Sequence, residues 1–196
     1  MRHHVSSRRP IFLRLSGLLL ASSMAANAFA DEQPRIEYYP IEGSSASQLQ
    51  FAMAARGPAG DDGRRFHGYT RWFVRWKYNT TRQGKSCQVT SVDVQTSGTI
   101  TLPQWTNEGA ARPALRERWQ RYIAALRGHE EGHYRFAVEA AAQIRESLSG
   151  MKSGLGCGDL QQRANARGQA ILEAQRRSER AYDQATGHGR TQGVTL

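Results

Sequence analysis

His129, Glu130 and His133 form a His-Glu-x-x-His string, the pattern in this chain with the clearest chemistry. Four residues make close to one turn of an α-helix, so two imidazoles at this spacing lie on one face and can bind the same metal ion. Glu130 follows the first histidine directly, where it can take a proton from water instead of coordinating. The string therefore predicts a zinc ion with a general base beside it, and hence a hydrolase.

Two helices must position this string. Pro113 suits the first turn of a helix, and apolar residues keep helical spacing from there to about Leu148. A turn follows at residues 149–158, and a second helical pattern runs from Asp159 to about Tyr182. Helices joined by so short a connection pack antiparallel.

A catalytic zinc normally has three protein ligands, so one ligand must come from outside the string. At 1.5 Å per residue, the end of the second helix lies level with His129. His188 lies in the segment that arrives there and is the third ligand that we favour; the alternatives are Asp183, Glu173 and Glu179. Tyr182 reaches the same place, and its hydroxyl is a candidate catalytic group for the oxyanion of a substrate.

The residues before the helices indicate a small sheet. Residues 69–78 alternate between apolar and basic side chains, as in a half-buried strand. Residues 87–96 and 99–102 are further β-rich runs, joined through Ser97-Gly98, and residues 47–55 suggest a short helix. We therefore predict an α+β fold in which a small antiparallel sheet packs on the metal-binding helix and an antiparallel C-terminal helix, in a zincin-like arrangement.

Residues 1–30 have the features of a secretory signal peptide. They carry four arginines and no acid, an apolar stretch at residues 11–21, and Ala28-Phe29-Ala30 before the expected cleavage point. We predict that residues 1–30 are removed, that residues 31–196 form a single domain, and that this domain is periplasmic or secreted.

Cys87 and Cys157 are the only cysteines of the chain. An even pair in an exported protein favours a disulfide, because the compartments outside the cytosol are oxidising. Closing the long loop between them would stabilise the fold by about 4 kcal/mol.

The net charge and the charge pattern of the chain limit the classes of partner that it can bind. The formal net charge is +10, and residues 31–196 carry +6 because the four arginines of residues 1–30 have no acidic counterpart. No basic run is interleaved with aromatic residues, so we expect no nucleic acid partner. No segment after residue 30 is long and apolar enough to span a membrane. The expected partner is a peptide or protein substrate, such as a cell-envelope peptide.

Several motifs together resemble a bacterial family of predicted secreted zinc-dependent proteases. The resemblance rests on the strand at residues 72–78, on Cys87, on Leu102-Pro103 with Trp105, on Trp119, and on the two histidine motifs at 129–133 and 182–189. It implies that His129 and His133 are zinc ligands, that Glu130 is the general base, and that His188 is the third ligand.

Two functions of different classes are consistent with these features. The first is an exported zinc metallopeptidase that hydrolyses peptide bonds, or an amidase that acts on peptidoglycan peptides with the same chemistry. The second is a non-catalytic cell-envelope binding module in which the metal is structural. An open coordination position favours the first function, and a closed site with four protein ligands favours the second.

Overall fold

The computed structural model describes residues 33–60 and 63–196, so the predicted signal peptide lies outside the described residues. This part of the chain forms, in order, β1 (Arg35–Ile41), α1 (Ala46–Arg56), β2 (Tyr69–Gln83), β3 (Ser86–Trp105), α2 (Pro113–Leu148), β4 (Lys152–Ser153) and α3 (Cys157–Thr186). The predicted α+β class is confirmed.

Strand β3 is the centre of the sheet. It pairs with β2 in antiparallel register, with the short β4 in antiparallel register, and with β1 in parallel register. The sheet is therefore mixed and not purely antiparallel, because the chain leaves β1 through α1 and reaches the opposite side of β3 before β2 begins. The alternation predicted in β2 is confirmed, since Thr70, Trp72 and Val74 are buried between exposed neighbours.

Gly98 does not interrupt the sheet. The sequence suggested a junction at Ser97-Gly98 between two β-rich runs, but β3 continues through it as one strand of 20 residues. A Cβ at Gly98 would lie 2.7 Å from Cε2 of Tyr134 on α2. The glycine is therefore explained by the close approach of a helix and not by a turn.

Helix α2 lies against two separate hydrophobic clusters. The first cluster, which contains Trp72 and Val94 of the sheet, packs on the part of α2 from Ala137 to Leu148. The second contains residues of α1 and the end of β3, and packs on Trp119, Tyr122 and Leu126. The His-Glu-x-x-His string occupies the stretch of α2 between them. Packing on both sides holds this stretch in place.

Helix α3 returns along α2, and a disulfide fixes its first residue to the sheet. Cys87 of β3 is bonded to Cys157, so the predicted disulfide is confirmed. At the other end of α3, the ring of Tyr182 stacks on His129 with centroids 5.0 Å apart. The helices are therefore antiparallel, as predicted. None of the helices in the described residues has an apolar stretch of the length needed to cross a membrane.

Candidate metal centre

Helix α2 places its two motif histidines side by side. His129 and His133 are one turn apart and buried, with 4% and 8% of their surfaces exposed. Their Nε2 atoms lie 3.2 Å apart. Two unprotonated ring nitrogens at this distance would direct their lone pairs at each other, so the space between them favours a proton or a cation.

Helix α3 adds a carboxylate to this pair. Oδ1 of Asp183 lies 3.2 Å from Nε2 of His129 and 3.1 Å from Nε2 of His133. The three atoms form a nearly equilateral triangle, and they make up a group that could hold a metal ion. Helical counting placed the end of the second helix at this level, and the structure confirms that placement.

The other ring nitrogen of each histidine also has a partner. Nδ1 of His133 lies 3.2 Å from Oε1 of Glu179, and Nδ1 of His129 lies 2.8 Å from Oε1 of Gln192. A histidine that donates Nδ1–H to such an oxygen keeps the lone pair of Nε2 for a metal. Both rings are therefore oriented with Nε2 towards Asp183.

The electrostatics of the group also favour positive charge at its centre. Burial alone would lower the pKa of His133, but hydrogen bonds to Asp183 and Glu179 raise that pKa to about 10. Burial alone would raise the pKa of Asp183, but hydrogen bonds from His129 and His133 hold it below its ordinary value. A metal ion that binds here must therefore displace a proton.

Glu130 is held against the start of β2. Its Oε2 accepts a hydrogen bond of 2.8 Å from the hydroxyl of Thr70, and a Cβ at Gly68 would lie 2.7 Å from its Oε1. Burial raises the pKa of Glu130, and the nearby His133 and His129 oppose that rise. The motif carboxylate is thus buried, held by one hydrogen bond, and close enough to the histidines to interact with their charge.

These groups line one cavity of about 1020 Å³. His129, Glu130, His133 and Asp183 lie along it, together with the start of β2 and His67. His67 is fixed from two directions: its carbonyl accepts a hydrogen bond of 2.7 Å from Tyr39, and its Nδ1 lies 2.7 Å from the hydroxyl of Tyr122. Burial lowers the pKa of His67, so its ring is neutral at neutral pH.

A family model described as a bacterial protein of unknown function (DUF922) matches residues 36–189. The chain belongs to this family. The match includes His129, His133, Asp183 and His188, and it ends before Gln192. No curated protein and no solved structure matches the chain. The match shows that the chain belongs to a bacterial family, but the description of that family assigns no activity, and the expected protease family stays a prediction.

Within this member of the family, His188 lies beside the triangle and not in it. Its Nδ1 is 3.5 Å from Oδ1 of Asp183, and 59% of its side chain is exposed. Its φ of 54° is in the left-handed region, between left-handed Gly187 and Gly189. The assignment of His188 as the third ligand stays a prediction, but the residue whose oxygen lies among the imidazole nitrogens is Asp183, one of its alternatives.

The other two alternatives have different positions. Glu179 contacts Nδ1 of His133, on the side of the ring away from the triangle, and also accepts a hydrogen bond of 3.0 Å from Nε1 of Trp72. Glu173 is exposed and is not a member of the group. The three candidate carboxylates therefore differ in position: Asp183 is at the triangle, Glu179 is behind His133, and Glu173 is on the surface.

Tyr182 contacts the histidines through its ring. The hydroxyl donates to the carbonyl of His129 over 3.4 Å and accepts a hydrogen bond of 3.0 Å from Nε2 of Gln192. Tyr182 is not among the residues that line the cavity. Gly132 makes room for this tyrosine, since a Cβ there would lie 2.8 Å from Cζ of Tyr182. The geometry supports a role for Tyr182 in positioning His129.

Sequence reasoning missed three residues of this site. Gln192 and Thr70 are single polar residues with no pattern around them, and no sequence signal identifies them. His67 is a lone histidine just before the strand pattern at residues 69–78, and its type and position alone do not indicate a role. One sequence feature pointed to its surroundings: Gly68 lies directly before a clear strand, where a missing side chain often marks a close contact.

Proposed function

We propose that this protein is an exported zinc-dependent hydrolase of peptide bonds. The observation that carries the proposal is the triangle formed by Nε2 of His129, Nε2 of His133 and Oδ1 of Asp183, with the buried carboxylate of Glu130 beside it. Catalytic zinc sites have three protein ligands and one open position, whereas structural sites have four protein ligands. Export is supported by the signal-peptide features of residues 1–30 and by the disulfide.

The size of the triangle supports zinc. Zinc binds nitrogen and oxygen ligands at about 2.0–2.1 Å in tetrahedral geometry, so its ligand atoms lie about 3.3 Å from one another. The three edges of the triangle measure 3.1, 3.2 and 3.2 Å. We therefore assign Asp183 as the third ligand, with His188 as a neighbour that contacts the carboxylate of Asp183.

Glu130 is the general base of the proposed reaction. A zinc ion at the triangle would lower the pKa of water and polarise a carbonyl group. Glu130 then accepts the proton of the attacking water and transfers it to the departing amine. Burial raises the pKa of the Glu130 carboxylate. A raised pKa suits both steps, because the most effective base has a pKa near the working pH.

His67 supplies a hydrogen-bond donor on another wall of the cavity. Burial raises the pKa of Tyr122, so its hydroxyl keeps its proton. Among the described residues, Nδ1 of His67 is the only hydrogen-bond partner of that hydroxyl. A hydroxyl that donates to Nδ1 leaves the ring proton on Nε2. We assign this Nε2–H to the oxyanion that develops on the substrate carbonyl.

Replacing Glu130 by Gln tests the reaction. The amide keeps the shape of the side chain but cannot accept a proton, so Glu130→Gln should retain about one zinc per chain and lose peptide hydrolysis by roughly a thousandfold. The exposed Glu173→Gln is the matched control and should change neither quantity. Loss of zinc together with activity would make Glu130 a ligand, and full activity in Glu130→Gln would refute the mechanism.

Replacing His67 tests the oxyanion assignment. His67→Ala should lower kcat by about a hundredfold while zinc content and KM stay close to those of the parent protein. Tyr122→Phe removes the donor to Nδ1 and should have a smaller effect of the same kind. If zinc content falls with kcat in His67→Ala, the residue acts on the metal group and not on the substrate.

The alternative function, a non-catalytic cell-envelope module with a structural metal, gives a different pattern. In that case zinc is retained and no peptide is hydrolysed by the parent protein or by any variant. The open cavity beside the triangle favours the hydrolase.

A further inference from the structure

Arginines of α3 line the cavity beside the metal group. Glu179 and Arg180 each lie three or four residues from both Arg176 and Asp183, so the four side chains share one side of the helix, and all four line the cavity. Arg190, which follows the turn after α3, lines it as well. We call Arg176, Arg180 and Arg190 the arginine wall.

The charges of the arginine wall are not neutralised within the protein. Across residues 33–60 and 63–196, no carboxylate lies within the 4.0 Å of an ion pair from the three guanidinium groups. The acids that line the cavity are engaged elsewhere: Thr70 binds Glu130, Trp72 and His133 bind Glu179, and the two motif histidines bind Asp183. The arginine wall is therefore available to an anionic ligand.

Three more arginines line the cavity. They are Arg64, Arg65 and Arg71, so the lining has six arginine and three acidic side chains. Arg64 and Arg71 each lie 5.8 Å from the centre of an aromatic ring, that of Phe66 and Tyr69 respectively. A cavity lined mainly by one sign of charge concentrates ligands of the opposite sign.

The edge of the sheet favours a peptide among the possible anions. Six consecutive residues, 68–73, line the cavity. Successive side chains of a strand point to opposite faces of the sheet, so a cavity on one face would be lined by every second residue. A consecutive run of lining residues therefore indicates that the edge of β2 borders the cavity. In the described sheet β2 pairs only with β3. Its outer edge can therefore pair with the backbone of an extended peptide, which nucleic acids lack.

On the basis of the function proposed above, we propose that the substrate is an extended peptide with acidic side chains. Its backbone pairs with the edge of β2 at residues 68–73. Its carboxylates bind the arginine wall, which places a peptide bond over His129, Glu130, His133 and Asp183.

Binding of matched peptides tests this proposal separately from catalysis. Zinc-loaded Glu130→Gln, which should bind substrate without cleaving it, is titrated with fluorescent peptides that differ only in carrying Glu, Gln or Lys at the same positions. The Glu peptide should bind at least about tenfold more tightly than the Gln peptide at low salt, with a smaller difference at high salt. Equal binding of the Glu and Gln peptides would overturn the proposal.

Two double variants locate the interaction. Arg176→Gln with Arg180→Gln should remove most of the preference for Glu and leave the affinity for the Gln peptide within about twofold of its starting value. Arg167→Gln with Arg177→Gln changes the same charge on the exposed side of α3, outside the cavity, and should keep the preference. An equal loss in both double variants would mean that the net charge of the protein, and not the arginine wall, selects the peptide.

Two further measurements separate the remaining outcomes. The first is binding of a single-stranded DNA of the same charge. If the DNA binds as tightly as the Glu peptide and loses affinity in the same double variant, the ligand is any polyanion and not specifically an acidic peptide. Turnover is measured with the zinc-loaded parent protein. If it hydrolyses none of the three peptides while the binding preference holds, the proposed hydrolysis fails and the ligand class stands.

Discussion

The two sides of the metal centre are built differently. Helices α2 and α3 supply all three atoms of the triangle from regular backbone, at positions set by helical periodicity. The C-terminal tail, residues 187–196, supplies no atom of the triangle: Gln192 contacts His129 from behind, and His188 lies beside Asp183. The tail begins with three successive left-handed residues, Gly187, His188 and Gly189. The comparison indicates that the ligand atoms depend on rigid elements, while the orientation of His129 depends on an irregular segment.

The largest effect that we predict concerns the third ligand, where the comparison sets Asp183 of α3 against His188 of the tail. Asp183→Asn should lower zinc affinity by at least about a hundredfold, because the amide oxygen is a weaker ligand than a carboxylate and carries no charge to balance the ion. His188→Ala should lower it by less than about tenfold, since His188 contacts the carboxylate and not the histidines. The measurement is competition with a chromophoric zinc chelator, with Glu173→Gln as the unaffected control.

The reverse order of effects would break the comparison. If His188→Ala loses zinc and Asp183→Asn keeps it, the tail coordinates the metal directly. The ring of His188 would then have to turn inward from its exposed position.

The partners behind the two histidines should have smaller and similar effects. Glu179 accepts from Nδ1 of His133, and Gln192 occupies the same position at His129. Loss of such a partner typically costs about 10–100-fold in metal affinity. We therefore expect Glu179→Gln and Gln192→Ala each to lower zinc affinity by about tenfold, as measured by the same competition. An unchanged affinity in Gln192→Ala alone would mean that the helices orient both rings without the tail.

The helical side of the centre could be predicted from the sequence because its geometry is repetitive. The spacing of His129 and His133 fixes their common face, and the rise per residue fixes which part of α3 lies beside them. Stacking of Tyr182 on His129 confirms that calculation. Counting residues along two helices locates a segment, however, and cannot choose between Asp183 and His188 within it.

The tail could not be predicted, because its course depends on backbone conformations that residue type only weakly determines. Gly187 and Gly189 suggest freedom to turn, but His188 adopts the left-handed region without a glycine's freedom to do so. Gly98 shows the same limit in the sheet. The sequence suggested a junction between two β-rich runs there, but the glycine instead leaves room for the ring of Tyr134. A glycine in a sequence is consistent with a turn or with a close contact, and three-dimensional structure shows which of the two applies.

The smallest effect that we predict concerns Gly189, where the tail touches His129. Its φ of 79° is unfavourable for other residues, and a Cβ there would lie 2.6 Å from Cγ2 of Val194 and 2.9 Å from Cγ of His129. Gly84 in the β2–β3 turn is a matched control, because its φ of 61° has the same handedness but no atom lies within 4 Å of its Cβ position. Each Gly→Ala change should lower the free energy of unfolding by about 1 kcal/mol through the backbone.

Only Gly189→Ala should also change the metal centre. The added methyl group pushes on the ring of His129 and disturbs its hydrogen bond to Gln192, so zinc affinity should fall by about threefold, less than in Gln192→Ala, which removes the partner entirely. Denaturant unfolding and zinc competition, measured on both variants, separate backbone strain from displacement of the ring. Equal zinc affinities in Gly84→Ala and Gly189→Ala would show that the tail can shift without moving His129, and that the helices alone determine the site.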